Sequence, residues 1–210
     1  MPCYNGCDMP QPEKPTKAGP QRQEERGTPV FSVIFDTNAL ITACKFSLEG
    51  EVLIDLLGKH CRIRIPQSVA DEATQNPQHP DARIAAQRVA DGSLLPEEPT
   101  VEAPDFLRAY RLGRGEVDAV RLYLSHPDEV DLLITDDLRT YLVCSRMGIP
   151  VRILPDLIVE LTRRGRLTKA QAIEIIEVTS SRYSDGVVAH SRAMLQEIED
   201  GEEEEQESDA

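Results

Sequence analysis

Short apolar segments alternate with helical patterns along most of this chain, and this alternation limits the possible folds more than any other feature. Residues 30–35 form an apolar run rich in strand-forming side chains, which is typical of a buried parallel strand. Further strands are predicted at residues 61–65, 131–135 and 150–154. Helical patterns lie between and after them, at residues 38–57 (one or two helices, broken near Gly50), 67–75, 81–91, 105–112, 116–125, 137–147, 155–164, 168–180 and 187–198. The sequence therefore predicts an α/β fold, a three-layer sandwich whose central parallel sheet has about four or five strands.

Composition divides the chain into four parts. Residues 1–28 contain five prolines and almost no aliphatic side chains, so we expect a disordered arm. Residues 29–165 carry the strand–helix alternation and form the predicted main domain. Residues 166–198 are predicted to be a C-terminal helical extension. The segment 199–210 is strongly acidic and is predicted to be a disordered tail.

The acidity of the chain at first argues against a nucleic-acid partner. The net charge is −14, but the eight acids of residues 199–210 account for −8 of it and leave −6 for the rest. No apolar run approaches the roughly 20 residues that cross a bilayer, so no membrane partner is expected, and a cytoplasmic location is predicted. Residues 113–115 lack the lysine and hydroxyl of a phosphate-binding loop, and the serine-hydrolase motif G-x-S-x-G is absent from the sequence.

Acidic residues follow two of the predicted strands. Asp36 comes directly after the first strand and Asp136 directly after the third, while Glu116 and Asp118 open a helix and Glu72 lies on another. Because the carboxyl ends of parallel strands meet at one edge of a sheet, where ligands collect, we expect these acids to lie near one another. The sequence therefore predicts a carboxylate site at this edge.

Carboxylates crowded in this way need a cation or a proton. Two of them about 4 Å apart repel by roughly 4 kcal/mol at an effective dielectric constant of 20. Mg²⁺ and Mn²⁺ prefer oxygen ligands, and a coordinated water can attack phosphorus near neutral pH. A metal-dependent phosphodiesterase is the chemistry that this pattern indicates.

Four motifs, in this order, resemble those of PIN-domain nucleases, a VapC toxin-like family. They are V-I-F-D-T-N-A-L at residues 33–40, P-Q-S-V-A-D-E at 66–72, G-E-V-D-A-V at 115–120 and L-I-T-D-D at 133–137. The resemblance covers roughly residues 30–165. The G-E-x-D-A motif and the extra C-terminal helices resemble a separate branch rather than the compact toxin type.

The resemblance implies an endoribonuclease that hydrolyses single-stranded RNA with Mg²⁺ or Mn²⁺. It implies that Asp36, Asp118 and Asp136 hold the metal. Glu116 is a further ligand candidate, since Asp118 fits the usual family pattern and Glu116 fits the branch. Supporting roles fall to Asn38, Glu72, Thr135 and Asp137. An antitoxin protein and a second copy of the chain, forming a homodimer, are further partners that the resemblance suggests.

Each of these residues also has a purely structural interpretation. Asp36 and Asp137 suit helix N-caps, and Glu116 and Asp118 suit the first turn of a helix. Arg111 and Arg114 are candidates for RNA phosphate contacts, but equally for a solvated helix face. The alternative function is a catalytically silent PIN-like module that binds RNA or protein. A phosphohydrolase of another α/β fold is disfavoured, because no Asp-x-Asp follows the first strand.

Overall fold

The computed structural model describes residues 30–198. The predicted arm at 1–28 and the predicted tail at 199–210 lie outside this range. The strands are β1 (Ser32–Phe35), β2 (Ser47–Leu48), β3 (Glu51–Val52), β4 (Arg62–Pro66), β5 (Pro96–Glu97), β6 (Leu132–Ile134) and β7 (Val151–Arg152). The α-helices are α1 (Thr37–Lys45), α2 (Leu53–Gly58), α3 (Gln67–Thr74), α4 (Pro80–Ala90), α5 (Arg114–Ser125), α6 (Leu138–Arg146), α7 (Leu154–Arg163), α8 (Lys169–Thr179) and α9 (Asp185–Gln196).

Five strands form one parallel sheet in the order β5-β4-β1-β6-β7. Strand β1 lies at the centre, with Val33 opposite Ile63 of β4 on one side and Leu132 of β6 on the other. This topology places the carboxyl ends of β1 and β6 side by side. The predicted α/β fold with a parallel sheet is confirmed.

Successive side chains along β1 contact the two helical layers on opposite faces of the sheet. Val33 and Phe35 of β1 point into one apolar cluster, which α1, α2 and α7–α9 help to form. Ile34, between them, points into the other, formed with α5 and α6. Side chains two apart share a face of a strand, so a strand buried on both sides must be apolar throughout. Leu167, in the segment after α7, belongs to the first cluster, as do buried residues of α8 and α9.

The structure differs from the sequence prediction in three local elements. The break predicted near Gly50 is present, but it is formed by the β2–β3 hairpin, a pair of strands that the sequence does not predict. The two turn residues of this hairpin, Glu49 and Gly50, both have positive φ. A two-residue turn of that kind matches the twist of paired strands. Asp105–Tyr110 is a 3₁₀ helix rather than an α-helix.

Strand β5 is the third difference, because none of the strands predicted from the sequence includes Pro96 or Glu97. Proline is acceptable there since β5 is an edge strand, which leaves one row of backbone groups unpaired. The strand is anchored by buried Arg64, whose guanidinium contacts Glu97 at 2.5 Å and Glu129 at 3.1 Å.

Candidate active site

Asp36 directly follows β1 and is completely buried. Its Oδ1 accepts a hydrogen bond from the Ala39 amide at 2.8 Å, which caps α1, and its Oδ2 accepts one from the hydroxyl of Thr135. The pKa of Asp36 is raised to about 7: burial is the largest cause, the negative charges of Asp136 and Glu116 add to it, and the two hydrogen bonds partly oppose it. The helix cap is therefore real, but it does not compensate for the cost of burying this carboxylate.

Asp136 follows β6 and lies beside Asp36, as the neighbouring strands require. Its Oδ2 accepts hydrogen bonds from the Tyr183 hydroxyl at 2.9 Å and the Thr42 hydroxyl at 3.3 Å. The Leu154 amide faces Oδ1 at a longer 3.5 Å. Three separate parts of the chain thus orient this one carboxylate.

Tyr183 was missed in the sequence analysis. It lies in the turn between α8 and α9, half-buried, and its pKa is raised by burial and by the adjacent charge of Asp136. The only sequence signal was a single tyrosine among polar turn residues, which carries no motif. The contact joins residues 47 positions apart, so periodicity could not reveal it.

Glu116 and Asp118 point in different directions from the first turns of α5. Glu116 accepts a hydrogen bond from the Gly113 amide at 2.7 Å, as in a capping box, and its charge acts on Asp36. Asp118 is buried, and its Oδ1 accepts a hydrogen bond from Arg121 at 2.6 Å. Its Oδ2 is 3.8 Å from the exposed Arg114. The two acids are two residues apart on the helix and therefore point in different directions. Among residues 30–198, Asp118 has arginine partners and Glu116 has none.

Glu72 joins three helices. Its Oε2 accepts a hydrogen bond from the Thr37 hydroxyl at 2.5 Å, and its Oε1 accepts one from the Gly115 amide at 2.9 Å. A Cβ on Gly115 would lie 2.5 Å from the Thr37 Oγ1 and 2.6 Å from the Glu72 Oε2. Only glycine lets α5 approach this closely, so the glycine of the G-E-x-D-A motif has a packing role beside the acids.

The remaining predicted residues have different surroundings. Thr135 holds Asp36 and also accepts a hydrogen bond from the Asp137 amide at 3.1 Å. Asp137 caps α6 through the Thr140 amide at 2.9 Å, as its structural interpretation proposed. Within residues 30–198, no hydrogen bond joins the Asn38 side chain to the acids. Arg111 is exposed and has a left-handed backbone (φ 53°).

The oxygen-rich donor set suits a hard divalent cation. Burial is the main reason for the raised pKa of Asp36, and repulsion from its two acidic neighbours adds to it. A bound cation would stabilise the charged form of Asp36 and relieve this repulsion. Over the described part of the chain, no three acidic, histidine or cysteine side chains are close enough to form a ready-made metal site. The carboxylate oxygens are the type of ligand that such an ion prefers, although hydrogen bonds within the chain hold these side chains in their present positions.

A cavity of about 790 Å³ lies at the other end of the sheet. It is lined by residues that precede β1 and β4, among them Val30, His60 and Cys61. None of the acids at the carboxyl edge, Asp36, Glu72, Glu116, Asp118, Asp136 and Asp137, lines it. The candidate site is therefore separate from this cavity.

These features define an α/β domain with an acidic site at the carboxyl edge of its parallel sheet. The model of one protein family, DUF3368, described as a PIN domain, matches residues 32–199. The chain belongs to this family, and PIN domains are generally nucleases. Comparisons with curated proteins and with solved structures gave no significant match. No helix among residues 30–198 is long and apolar enough to cross a membrane.

Proposed function

We propose that this protein is a metal-dependent endoribonuclease that hydrolyses phosphodiester bonds of single-stranded RNA. The observation that carries the proposal is the buried Asp36 carboxylate, whose pKa is raised to about 7 by burial and by the charges of Asp136 and Glu116. Buried, mutually repelling carboxylates are costly to the fold and concentrate at functional sites. Membership of a family that generally consists of nucleases supports the same conclusion.

The proposed ligands of Mg²⁺ or Mn²⁺ are Asp36, Glu116, Asp118 and Asp136. When bound, such an ion supplies an activated water and stabilises the charge that develops on the phosphate. Thr135 fixes one oxygen of Asp36, and Thr42 and Tyr183 fix one oxygen of Asp136. These hydrogen bonds orient the carboxylates and limit the rearrangement that binding requires.

Glu116 and Asp118 take unequal parts in this proposal. Glu116 acts on Asp36 electrostatically and therefore belongs to the same group of charges. Asp118 is partly neutralised by Arg121 at Oδ1, and the exposed Arg114 lies 3.8 Å from its Oδ2. We expect Glu116→Gln to weaken Mn²⁺ binding more than Asp118→Asn. The opposite order would assign the main ligand role to Asp118, as the usual family pattern implies.

A cleavage assay tests the proposed function. Purified protein is incubated with a fluorescently labelled single-stranded RNA in Mn²⁺ or Mg²⁺, beside Asp36→Asn and the control Asp128→Asn, which changes an exposed acid in a loop. We expect cleavage by the wild type and the control and at least a hundredfold loss in Asp36→Asn. Equal cleavage by all three proteins would exclude the carboxylate mechanism. RNA binding without cleavage by any of them would favour the catalytically silent module.

Other parts of the proposal extend beyond the site. The toxin role, an antitoxin partner, a homodimer and a cytoplasmic location follow from the resemblance and stay predictions. The division of the chain at residues 28, 165 and 198 is likewise a proposal. Arg111 and Arg114 are proposed to contact RNA phosphates, because both are exposed next to the first turn of α5, where Glu116 lies.

A further inference from the structure

An exposed apolar strip lies on the outer surface beside the carboxylate edge. Leu138 and Leu142 are 69% and 44% exposed and lie one turn apart on α6, which begins directly after Asp136 and Asp137. Arg146 occupies the next turn of the same helix face and donates a hydrogen bond to the Tyr110 hydroxyl at 3.2 Å. We call these residues, together with Phe106, the outer strip.

Phe106 is the most unusual residue of the outer strip. It is 50% exposed, and its ring packs edge-on against that of Tyr110 with the centroids 6.5 Å apart. The contact holds the ring in place but leaves much of its surface in water. Exposing a phenylalanine ring to water is unfavourable compared with burying it in the core. Such an aromatic surface suits a stacking partner.

Arginines surround the outer strip. Five of them lie on or beside it: Arg108, Arg111, Arg114, Arg139 and Arg146. Three of these arginines have an acidic partner: Arg108 is 3.6 Å from Asp105, Arg114 is 3.8 Å from Asp118 and Arg139 is 4.0 Å from Asp137. Arg111 and Arg146 form no ion pair within residues 30–198, so this surface offers positive charge although the whole chain carries −14. A polyanion is therefore the partner whose charge this surface complements.

The strip is also continuous with the site. From Tyr110 the chain passes through Arg111 to Gly113, whose amide contacts Glu116. From Asp136 it passes into α6 and the exposed leucines. A single strand lying across the acids would meet aromatic and apolar side chains flanked by arginines. That combination binds unpaired bases by stacking and the backbone by charge.

We propose that the outer strip binds single-stranded RNA next to the cleavage site, with Phe106 as a base-stacking residue. The proposal rests on the proposed ribonuclease function and adds where the substrate strand lies. A second copy of the chain is a poorer occupant, because two-fold pairing through this face would bring the same arginines together. The aromatic ring favours unpaired bases over a duplex, whose bases are already stacked.

RNA binding measured without cleavage tests the proposal. The full chain is titrated in EDTA against a labelled 12-nucleotide RNA that contains 2-aminopurine, with fluorescence anisotropy as the readout of affinity. We expect Phe106→Ala to weaken binding roughly fivefold to a hundredfold, and Phe106→Tyr to retain it, since it keeps the ring. Val178→Ala is the matched control, because Val178 is an exposed apolar residue of α8, in the layer on the other face of the sheet.

A second readout separates stacking from a general effect on the fold. In the wild type, 2-aminopurine fluorescence should fall on binding, and Phe106→Ala should remove that change while thermal unfolding stays unchanged. Arg111→Ala should reduce the salt dependence of binding without altering the fluorescence change. Unchanged RNA affinity in Phe106→Ala would overturn the proposal, as would a wild type that binds no RNA.

The result is independent of catalysis. RNA cleavage by the wild type together with unchanged affinity in Phe106→Ala would refute the strip and leave the ribonuclease function standing. RNA binding that depends on Phe106, in a protein that cleaves no RNA, would support the outer strip and refute the ribonuclease function. Sedimentation of the same variants detects the remaining occupant: a dimer that Phe106→Ala dissociates, with RNA affinity unchanged, would assign the strip to a second copy.

Discussion

Replacing Tyr183 by phenylalanine removes one hydroxyl from the candidate active site and leaves the ring that packs against the core. That hydroxyl donates to Asp136 at 2.9 Å, whereas the other donors to this carboxylate lie at 3.3 Å and 3.5 Å. Tyr183 therefore makes the shortest of the three hydrogen bonds. Its loss leaves Asp136 with two long ones.

The expected loss of stability in Tyr183→Phe follows from the strength of the hydrogen bond that is removed. A hydrogen bond to a charged group contributes about 1.5–3 kcal/mol, and partial exposure of Tyr183 brings the expected loss to about 1–2 kcal/mol. For a domain of this size, that corresponds to a decrease of about 3–6 °C in Tm. Loss of a residue that orients a metal ligand also weakens metal binding, typically tenfold to a hundredfold.

Two measurements check this prediction. Differential scanning calorimetry in EDTA gives the stability change, and isothermal titration calorimetry with Mn²⁺ gives the affinity. Tyr141→Phe is the control, because no hydrogen bond of the Tyr141 hydroxyl is present within residues 30–198. The reasoning would be refuted if Tyr183→Phe had the same melting temperature and Mn²⁺ affinity as this control.

Three further predictions concern the buried charges of Asp36 and Arg64 and the close approach of α5 to Glu72 at Gly115. The folded pKa of Asp36 lies near 7, above its unfolded value of 3.8, so the stability that its protonated form contributes is complete below about pH 4 and is lost as the pH rises through 7. Without metal, the free energy of unfolding of the wild type should fall by about 4 kcal/mol more than that of Asp36→Asn between pH 4 and pH 8, as measured by urea unfolding. Equal pH dependence of the two proteins would contradict this. Gly115→Ala should cost about 1–3 kcal/mol in urea unfolding, because the new methyl group displaces the Glu72 carboxylate; an unchanged midpoint would show that α5 can shift freely. Glu97→Ala leaves the buried Arg64 guanidinium with one carboxylate and should lower the free energy of unfolding by about 2–3 kcal/mol. Arg64→Met removes the buried charge itself and should therefore change stability by less. A larger effect of Arg64→Met in thermal melts would contradict this prediction.

The parts of the fold that sequence could predict are those set by local patterns. The buried strands β1 and β6 are apolar except for Ser32, and Asp36 and Asp136 lie within two residues of their carboxyl ends. Parallel pairing of two such strands then places Asp36 and Asp136 at one edge. The cap at Asp137 was likewise predicted from its residue type and position, and the structure confirms it.

What the sequence could not show depends on contacts between distant segments. Tyr183 reaches Asp136 only because α8 and α9 pack on the same core as β1, and the tyrosine has no motif of its own. Strand β5 depends on the ion pair between Arg64 and Glu97, 33 positions apart. The divergence of Glu116 and Asp118 depends on which arginine lies nearby, and helical spacing alone does not determine that.

Direct titration with Mn²⁺ tests the central claim, that the carboxylates around Asp36 form a cation site. Isothermal titration calorimetry at pH 7 compares the wild type with Asp36→Asn and with Asp128→Asn, the exposed acid outside the site. We expect the wild type and Asp128→Asn to bind Mn²⁺, with release of protons into the buffer because the pKa of Asp36 is about 7. Equal Mn²⁺ affinity in all three proteins, or no binding by the wild type, would contradict the central claim.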